Sequence, residues 1–267
     1  MADTISKTQL DKLGDRLRSG SRDEADLRLL IEYQHSFLPA YEAIWSKLKD
    51  LRLEKPNARR LKTVYSIEEK LKRQPIRLTQ IQDIAGVRLT CRDAPDQDLL
   101  LTLLSVSMFP KSQVDDHRER PSYGYRAIHL IVTSARGRMV EIQIRTREQD
   151  RWAQVSERLA VQFGADVKYG GGPQWIRDAL SGYSETVRIC EQLEWQHWDM
   201  SHRALDLHER TSDSRTAQDR ETLMTHAAEL ERRVHDQRSR LEQELESIAA
   251  LIEKSAGSKR GEDDLPH

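Results

Sequence analysis

Two short stretches of the chain alternate apolar and polar residues with a period of two. Arg126-Ala-Ile-His-Leu-Ile-Val-Thr133 and Met139-Val-Glu-Ile-Gln-Ile-Arg-Thr146 flank Ser134-Ala-Arg-Gly-Arg138, the pattern of an antiparallel hairpin. In the second run Val140, Ile142 and Ile144 share one face, and Glu141, Gln143 and Arg145 share the other. Ile81 to Cys91 reads as a further strand, with Val87, Leu89 and Cys91 on one side, Gly86, Arg88 and Thr90 on the opposite side, and Asp83 at its start.

Elsewhere the period is helical. Leu27, Leu30, Ile31, Tyr33, Leu38, Tyr41, Ile44, Trp45 and Leu48 predict one or two packed helices, with Pro39 as a kink or break. After Pro56-Asn57 comes the basic segment Ala58 to Ser66 and then a helix over Ile67 to Arg73. Ser66 with Glu69 has capping-box spacing. The segment holding Arg60 and Lys62 is thus either a phosphate-binding approach to a helix N-terminus or an ordinary basic loop. Residues 95–108 predict a helix opened by Pro95, and Glu148 to Gln162 an amphipathic one carrying Trp152, Val155 and Leu159. Lys168-Tyr-Gly-Gly-Gly-Pro173 interrupts, and a helix follows to Met200. The order strand, helix, strand, strand predicts an α+β fold with a mixed, mainly antiparallel sheet flanked by helices.

The C-terminal part is almost all charge with a thin apolar thread through Leu223, Met224, Leu230, Val234, Leu241, Leu245, Ile248 and Leu251. It predicts a long helix that pairs in a coiled coil or lies along the domain. The expected division is an N-terminal segment 1–22, a folded domain 23–200, a charged helical region 201–253 and a disordered tail 254–267.

Charged residues make up 33% of the 267 and aromatic ones 6%, which fits a helix-rich protein with long solvated faces. Lys plus Arg (43) and Asp plus Glu (44) nearly cancel, so no overall basic character points to nucleic acid, although a local patch is compatible with that balance. Cys91 and Cys190 match no metal or redox spacing. A reducing cytoplasm is the expected location. With no apolar leader and no run of 18 uncharged apolar residues, no membrane partner is expected.

The candidate chemistry gathers at the hairpin. Pro121-Ser-Tyr-Gly-Tyr-Arg-Ala-Ile-His129 brings a turn, two tyrosines and His129 to its mouth, beside the carboxylate, amide and guanidinium of the second strand. Aromatic faces, a cation and a carboxylate at one sheet edge suit a nucleotide.

Arg60-Leu-Lys-Thr-Val-Tyr-Ser66, Asp83-Ile-Ala-Gly-Val-Arg88, Gly124-Tyr-Arg-Ala-Ile-His129 and Glu141-Ile-Gln-Ile-Arg-Thr146, with Trp152-Ala after them, resemble the synthetase domain of the RelA/SpoT family over roughly residues 25–200. The resemblance implies a nucleotidyltransferase-like fold with N- and C-terminal helical extensions. It also implies an ATP-dependent pyrophosphokinase that uses Mg2+ and moves the β,γ-diphosphate of ATP onto a nucleotide 3′-hydroxyl. Residue by residue, it implies Asp83 as Mg2+ ligand and Glu141 as Mg2+ ligand or as base. Arg60 and Arg88 would sandwich adenine, and Lys62 and Ser66 would hold phosphates. Tyr125 would stack on the acceptor base, with His129, Gln143 and Arg145 around acceptor and phosphates. A salt bridge from Arg145 to Glu141 is the alternative for that arginine. The hydrolase half of the long family members has no counterpart here; the single His235-Asp236 pair lies in the charged tail.

Two motifs depart from the family pattern. Where its alarmone synthetases usually read Pro-Lys-x-Asn-Gly-Tyr, this chain has Pro121-Ser-Tyr-Gly-Tyr125; where they read Trp-Ala-x-x-Glu-His, it has Trp152-Ala-Gln-Val-Ser-Glu157. With Lys168-Tyr-Gly-Gly-Gly172, these features resemble the toxic small alarmone synthetase branch. That resemblance implies a translation-inhibiting toxin acting on the 3′-terminal adenosine of tRNA, with an antitoxin protein as a possible partner. Lys72, Arg73, Arg77, Arg147 and Arg151 would then grip the acceptor stem by its phosphates. An enzyme making guanosine or adenosine alarmones from GDP, GTP or adenine nucleotides is the second expectation. A catalytically silent regulatory binding protein is the third, and self-association into an oligomer is compatible with any of the three; retention of Asp83 and Glu141 beside a basic segment argues against the silent reading, because each buried carboxylate costs stability unless paired.

Overall fold

The computed structural model describes residues 5–49, 51, 55–210 and 214–262. The chain divides into two compact units, one of Met1–Thr90, Leu100–Asp116 and Ile128–Ile144, the other of Cys91–Leu99, His117–Ala127 and Arg145–His267.

The first unit opens with helices α1 (Lys7–Ser19), α2 (Glu24–His35) and α3 (Leu38–Leu48). Ser6 caps α1 and Asp23 caps α2, each reciprocally with the residue three further on. Pro39 sits in the first turn of α3, where its missing N–H costs nothing, so it begins a helix rather than kinking one. The sheet follows: β1 (Lys55–Leu61), β2 (Ala85–Cys91), β3 (Gln113–Asp116), β4 (Ile128–Thr133) and β5 (Met139–Thr146), ordered β1-β2-β5-β4-β3. The pairs β1 with β2, β3 with β4, and β4 with β5 are antiparallel. The expected hairpin is β4 and β5, closed through Gly137 at φ 74. Its inner face carries Val140, Ile142 and Ile144, all buried, and β2 buries Val87 and Leu89 in alternation.

Both strands that the hydrophobic pattern did not predict lie at the sheet's edges. β1 contains Pro56 and Asn57 and no alternation, while β3 is Gln113-Val-Asp-Asp116 and largely exposed. Edge strands need one paired side only, and polar residues or proline there discourage pairing with another chain. Between them α4 (Val64–Arg73) starts earlier than the expected Ile67. Thr63, not Ser66, is its cap: the Thr63 hydroxyl accepts from the Ser66 backbone N–H at 3.2 Å.

In the second unit, Thr146 and Gln149 form the capping box that starts α6 (Arg147–Phe163). A short 3-10 segment, Ala165–Tyr169, leads into the glycine run and then α7 (Gln174–Arg210), which passes the expected end at 200. The last helix, α8 (Ser214–Glu262), continues beyond residue 253, and residues 263–267 of the expected disordered tail lie outside the described residues. Helix α8 runs back along α7: Thr186 bonds Glu244, Glu194 pairs with Arg238, and His197 Nδ1 meets the Ala227 carbonyl. Of the predicted apolar thread, Leu230, Val234, Leu241 and Ile248 join one core with Trp152, Leu159, Tyr183, Val187 and Leu193, whereas Met224 and Leu251 stay exposed. The helix α5 (Ala94–Thr102) ends in a π-helical turn, Leu103–Met108. Among the described residues no helix is long and apolar enough to cross a membrane.

Candidate active site

A cleft in the first unit is lined by Leu61, Lys62, Asp83, Gly86, Val87, Arg88, Glu141 and Gln143. Each side chain arrives by a local rule of the chain. The β1 register shifts between Arg59 and Leu61, so Arg60 falls at an irregularity of the β1–β2 ladder. The Arg60 side chain itself lies outside the described residues. Lys62 follows the strand, its backbone N–H fixed on the Ile84 carbonyl at 2.8 Å. Gly86 keeps β2 close to β5, since a Cβ there would stand 3.2 Å from the Glu141 carbonyl oxygen.

Asp83 is gripped from two sides. Lys62 Nζ donates to Oδ2 at 2.8 Å and Lys70 Nζ to Oδ1 at 2.9 Å. Burial pushes its pKa up, but the two ammonium charges and their hydrogen bonds overcome this and hold it at about 2. Lys70 had no part in the sequence-based site. It lies three residues beyond the buried Ile67 on α4, and its signal was only that Asp83 has a second oxygen in need of a donor.

Glu141 is likewise almost fully buried, 7% exposed. Its Oε1 faces His129 Nδ1 at 3.1 Å and its Oε2 accepts from Gln143 Nε2 at 2.5 Å. Burial raises its pKa, and Asp83 nearby adds to that, yet His129 and Gln143 bring it below the ordinary glutamate value. His129 therefore sits on the carboxylate, one strand across, in a register that pairs His129 with Gln143 and Ile131 with Glu141. The Ser66 hydroxyl shares a hydrogen bond with that of Thr63 at 2.8 Å, at the head of α4.

Tyr125 and Arg145 belong to the second unit and touch each other. Arg145 Nη2 donates to the Tyr125 hydroxyl at 3.0 Å, and its guanidinium carbon stands 5.3 Å from the ring centre. Arg145 Nη1 pairs with Asp150 at 3.3 Å. The expected alternative partner, Glu141, is thus replaced by Asp150, which the first turn of α6 presents to Arg145. Trp152 backs the tyrosine, ring centres 6.1 Å apart, and is itself pinned by its Nε1 donating to the Leu180 carbonyl at 2.8 Å. Gly124 is required there, because any Cβ would meet both Trp152 and the Leu180 carbonyl within 3.2 Å. Of the basic side chains expected on an outer surface, Lys72 meets Glu69 at 3.0 Å, and Arg151 meets Glu148 at 3.2 Å and Glu242 at 3.8 Å. Exposed pairs of this kind are weak and exchangeable, worth roughly 0–1 kcal/mol.

A cleft with two carboxylates and the cations of Lys62, Lys70 and Arg88 is matched to a polyphosphate and a divalent cation. Among the described residues no group of three metal-ligating side chains occurs.

Residues 59–163 match the model of the region found in RelA / SpoT proteins. The GTP pyrophosphokinase YjbM of Bacillus subtilis is 31% identical over 150 residues, covering 50% of this chain and 67% of that protein. An uncharacterized protein of Mycobacterium tuberculosis is 35% identical over 158 residues, 52% of this chain and 55% of its own length. The chain belongs to the RelA/SpoT family. Among solved structures, the small alarmone synthetase 1 of Bacillus subtilis aligns with a TM-score of 0.48 at 28% identity, over 64% of this chain and 94% of that one. The chain spans about half the length of the first curated relatives it matches.

Proposed function

We propose that this chain is an ATP-dependent pyrophosphokinase that places the β,γ-diphosphate of ATP on the 3′-hydroxyl of a nucleotide acceptor. The observation that carries the reading is Asp83, clamped by Lys62 and Lys70 in the same cleft as Glu141 and Arg88. Diphosphate transfer asks little covalent chemistry of a protein; it asks for alignment and for positive charge over the migrating phosphates. The two lysines supply that charge, with Ser66 at the head of α4, while Arg88 and Arg60 supply planar faces for adenine. Asp83 and Glu141 are the residues that would hold Mg2+, which would supply positive charge against the phosphates. The acceptor oxygen forms its bond to the β-phosphorus as the α,β-bridge breaks and AMP departs. The hydroxyl proton goes to Glu141, which His129 and Gln143 hold below the ordinary glutamate range and so ionised at neutral pH.

For the acceptor, the reading is the 3′-terminal adenosine of tRNA, bound with Tyr125, His129, Gln143 and Arg145, which would make the protein a translation-blocking toxin of the cytoplasm with a neutralising protein partner. It rests on the altered motifs Pro121 to Tyr125 and Trp152 to Glu157 and on the Lys168 to Gly172 run. A second reading, synthesis of alarmones from GDP or GTP, is favoured by the 31% identity to a protein named for that reaction. Transfer from γ-labelled ATP with Mg2+, run with deacylated tRNA and with GDP or GTP, tests both. Label on tRNA supports the first, label on the free nucleotide the second, and label on neither removes the pyrophosphokinase reading.

A further inference from the structure

We propose that the open face of Tyr123, in the second unit, is a stacking platform for a nucleobase of the acceptor. The proposal rests on the pyrophosphokinase reading above. Ser122-Tyr-Gly-Tyr125 closes on itself, the Tyr125 N–H donating to the Ser122 carbonyl at 3.0 Å, with Tyr123 at φ 54 and Gly124 at φ 88. Two successive positive φ values define the primed turn that glycine, asparagine and aspartate normally make. Tyr123 is the only non-glycine residue at positive φ among the described residues. A bulky side chain in that conformation is strained and persists only where its surroundings impose it.

The glycine run imposes it. At Gly170, itself at φ 79, a Cβ would lie 2.4 Å from Tyr123 Cδ1, so the ring rests on bare backbone that no other residue could offer. Gly171 and Gly172 are just as constrained: a Cβ would stand 2.5 Å from Asp166 Oδ2 at the first and 2.8 Å from Val167 Cγ2 at the second. The strained turn and Gly170 are thus one device for holding the ring, while Gly171 and Gly172 make room for Asp166 and Val167. Yet Tyr123 remains 61% exposed, so the device returns little burial for its strain. Tyr169, 40% exposed, precedes the same glycines, and Lys168 beside it pairs with Glu157 at 3.9 Å. A held, exposed aromatic face suits the flat side of a nucleobase. A free nucleotide and the terminal nucleotide of an RNA both have that chemistry.

The test uses the full chain with Tyr123→Asn, which keeps a residue suited to positive φ but removes the ring, and Tyr123→Trp, which keeps an aromatic face. Transfer from labelled ATP is measured against rising deacylated tRNA and, separately, GDP or GTP, along with ATP affinity and Tm. The expected result is a rise of roughly five- to a hundredfold in KM for whichever acceptor the wild type uses, the loss of one stacked base. ATP affinity and Tm should stay unchanged in Tyr123→Asn, and the acceptor KM should recover in Tyr123→Trp. An unchanged acceptor KM in Tyr123→Asn, with or without a lower Tm, overturns the platform and leaves the ring a packing element. Wild-type protein that labels no acceptor overturns instead the reading on which the platform rests.

Discussion

Asp83 in the first unit and Glu194 in the second are both buried carboxylates gripped by a basic side chain, yet their acidities move apart. Asp83 takes two ammonium groups and is held at about 2. Glu194 accepts from Arg238 at 2.8 Å and from the Ala94 backbone N–H at 2.9 Å, but burial outweighs these partners and raises its pKa. Asp83 therefore has more positive charge than it can neutralise, and Glu194 less than it needs. A surplus of cations has a use only when further anion arrives, whereas a carboxylate short of cations serves packing. The contrast separates a residue set for a ligand from one set for the fold, although both would look alike as ion pairs in a contact list.

Substitutions can break that contrast. The largest effect is expected from Glu141→Gln, which keeps the size and loses the charge and proton acceptance: transfer should fall at least about a hundredfold, roughly 3 kcal/mol in barrier, with circular dichroism and Tm little changed. Retained transfer would remove Glu141 from the chemistry.

Next in size is the acid response. The folded Asp83 is more acidic than the unfolded residue, so its contribution is present above the ordinary aspartate range and is lost as pH falls from near 4 towards about 2. It amounts to about 2 kcal/mol from the two-unit depression. Glu194 has the opposite sign: raised in the fold, it favours the folded state at low pH, and that contribution fades as pH rises through its folded value. Denaturant unfolding between pH 2 and 7 should show a shallower acid limb below about pH 4 in Asp83→Asn. A change in Glu194→Gln should instead appear above the usual glutamate range.

Glu194→Ala leaves Arg238 and the Ala94 N–H without their acceptor and should cost about 2 kcal/mol, below the figure for a fully enclosed pair because Arg238 still reaches water. Transfer per folded molecule should not change, and a Tm series against activity separates the two. The smallest effect is that of Lys70→Ala, expected to weaken ATP binding about tenfold for one lost charge-assisted bond and to let Asp83 drift back towards its ordinary acidity. Isothermal titration and a carboxyl-resolved NMR titration read these separately.

The hairpin and β2 were legible because the strands at the centre of the sheet bury alternate residues, and Val140, Ile142, Ile144, Val87 and Leu89 spell that out. The edge strands β1 and β3 were not, because an edge strand pairs on one side only and need not bury alternate residues. The helix start at Thr63 was hidden by a second hydroxyl three residues later that matched the same capping pattern. Asp83, Glu141, Lys62 and Arg88 could be picked out and do line one cleft. Lys70 could not, since its place on Asp83 depends on how α4 packs. The pairing of Arg145 with Asp150 was not legible either, since it depends on how the turn into α6 presents that carboxylate.

The pairing of α7 and α8 also sets an order in time. A ribosome delivers the chain from Met1 onward, and the first unit has all its strands once residue 144 has emerged. The second unit does not, for Leu230, Val234, Leu241 and Ile248 belong to the same core as Trp152 and Tyr183. The core around Trp152 and Tyr183 thus waits on α8 before it is complete. A nascent chain stalled before α8 carries the cleft of Asp83 and Glu141 without the finished core of the second unit.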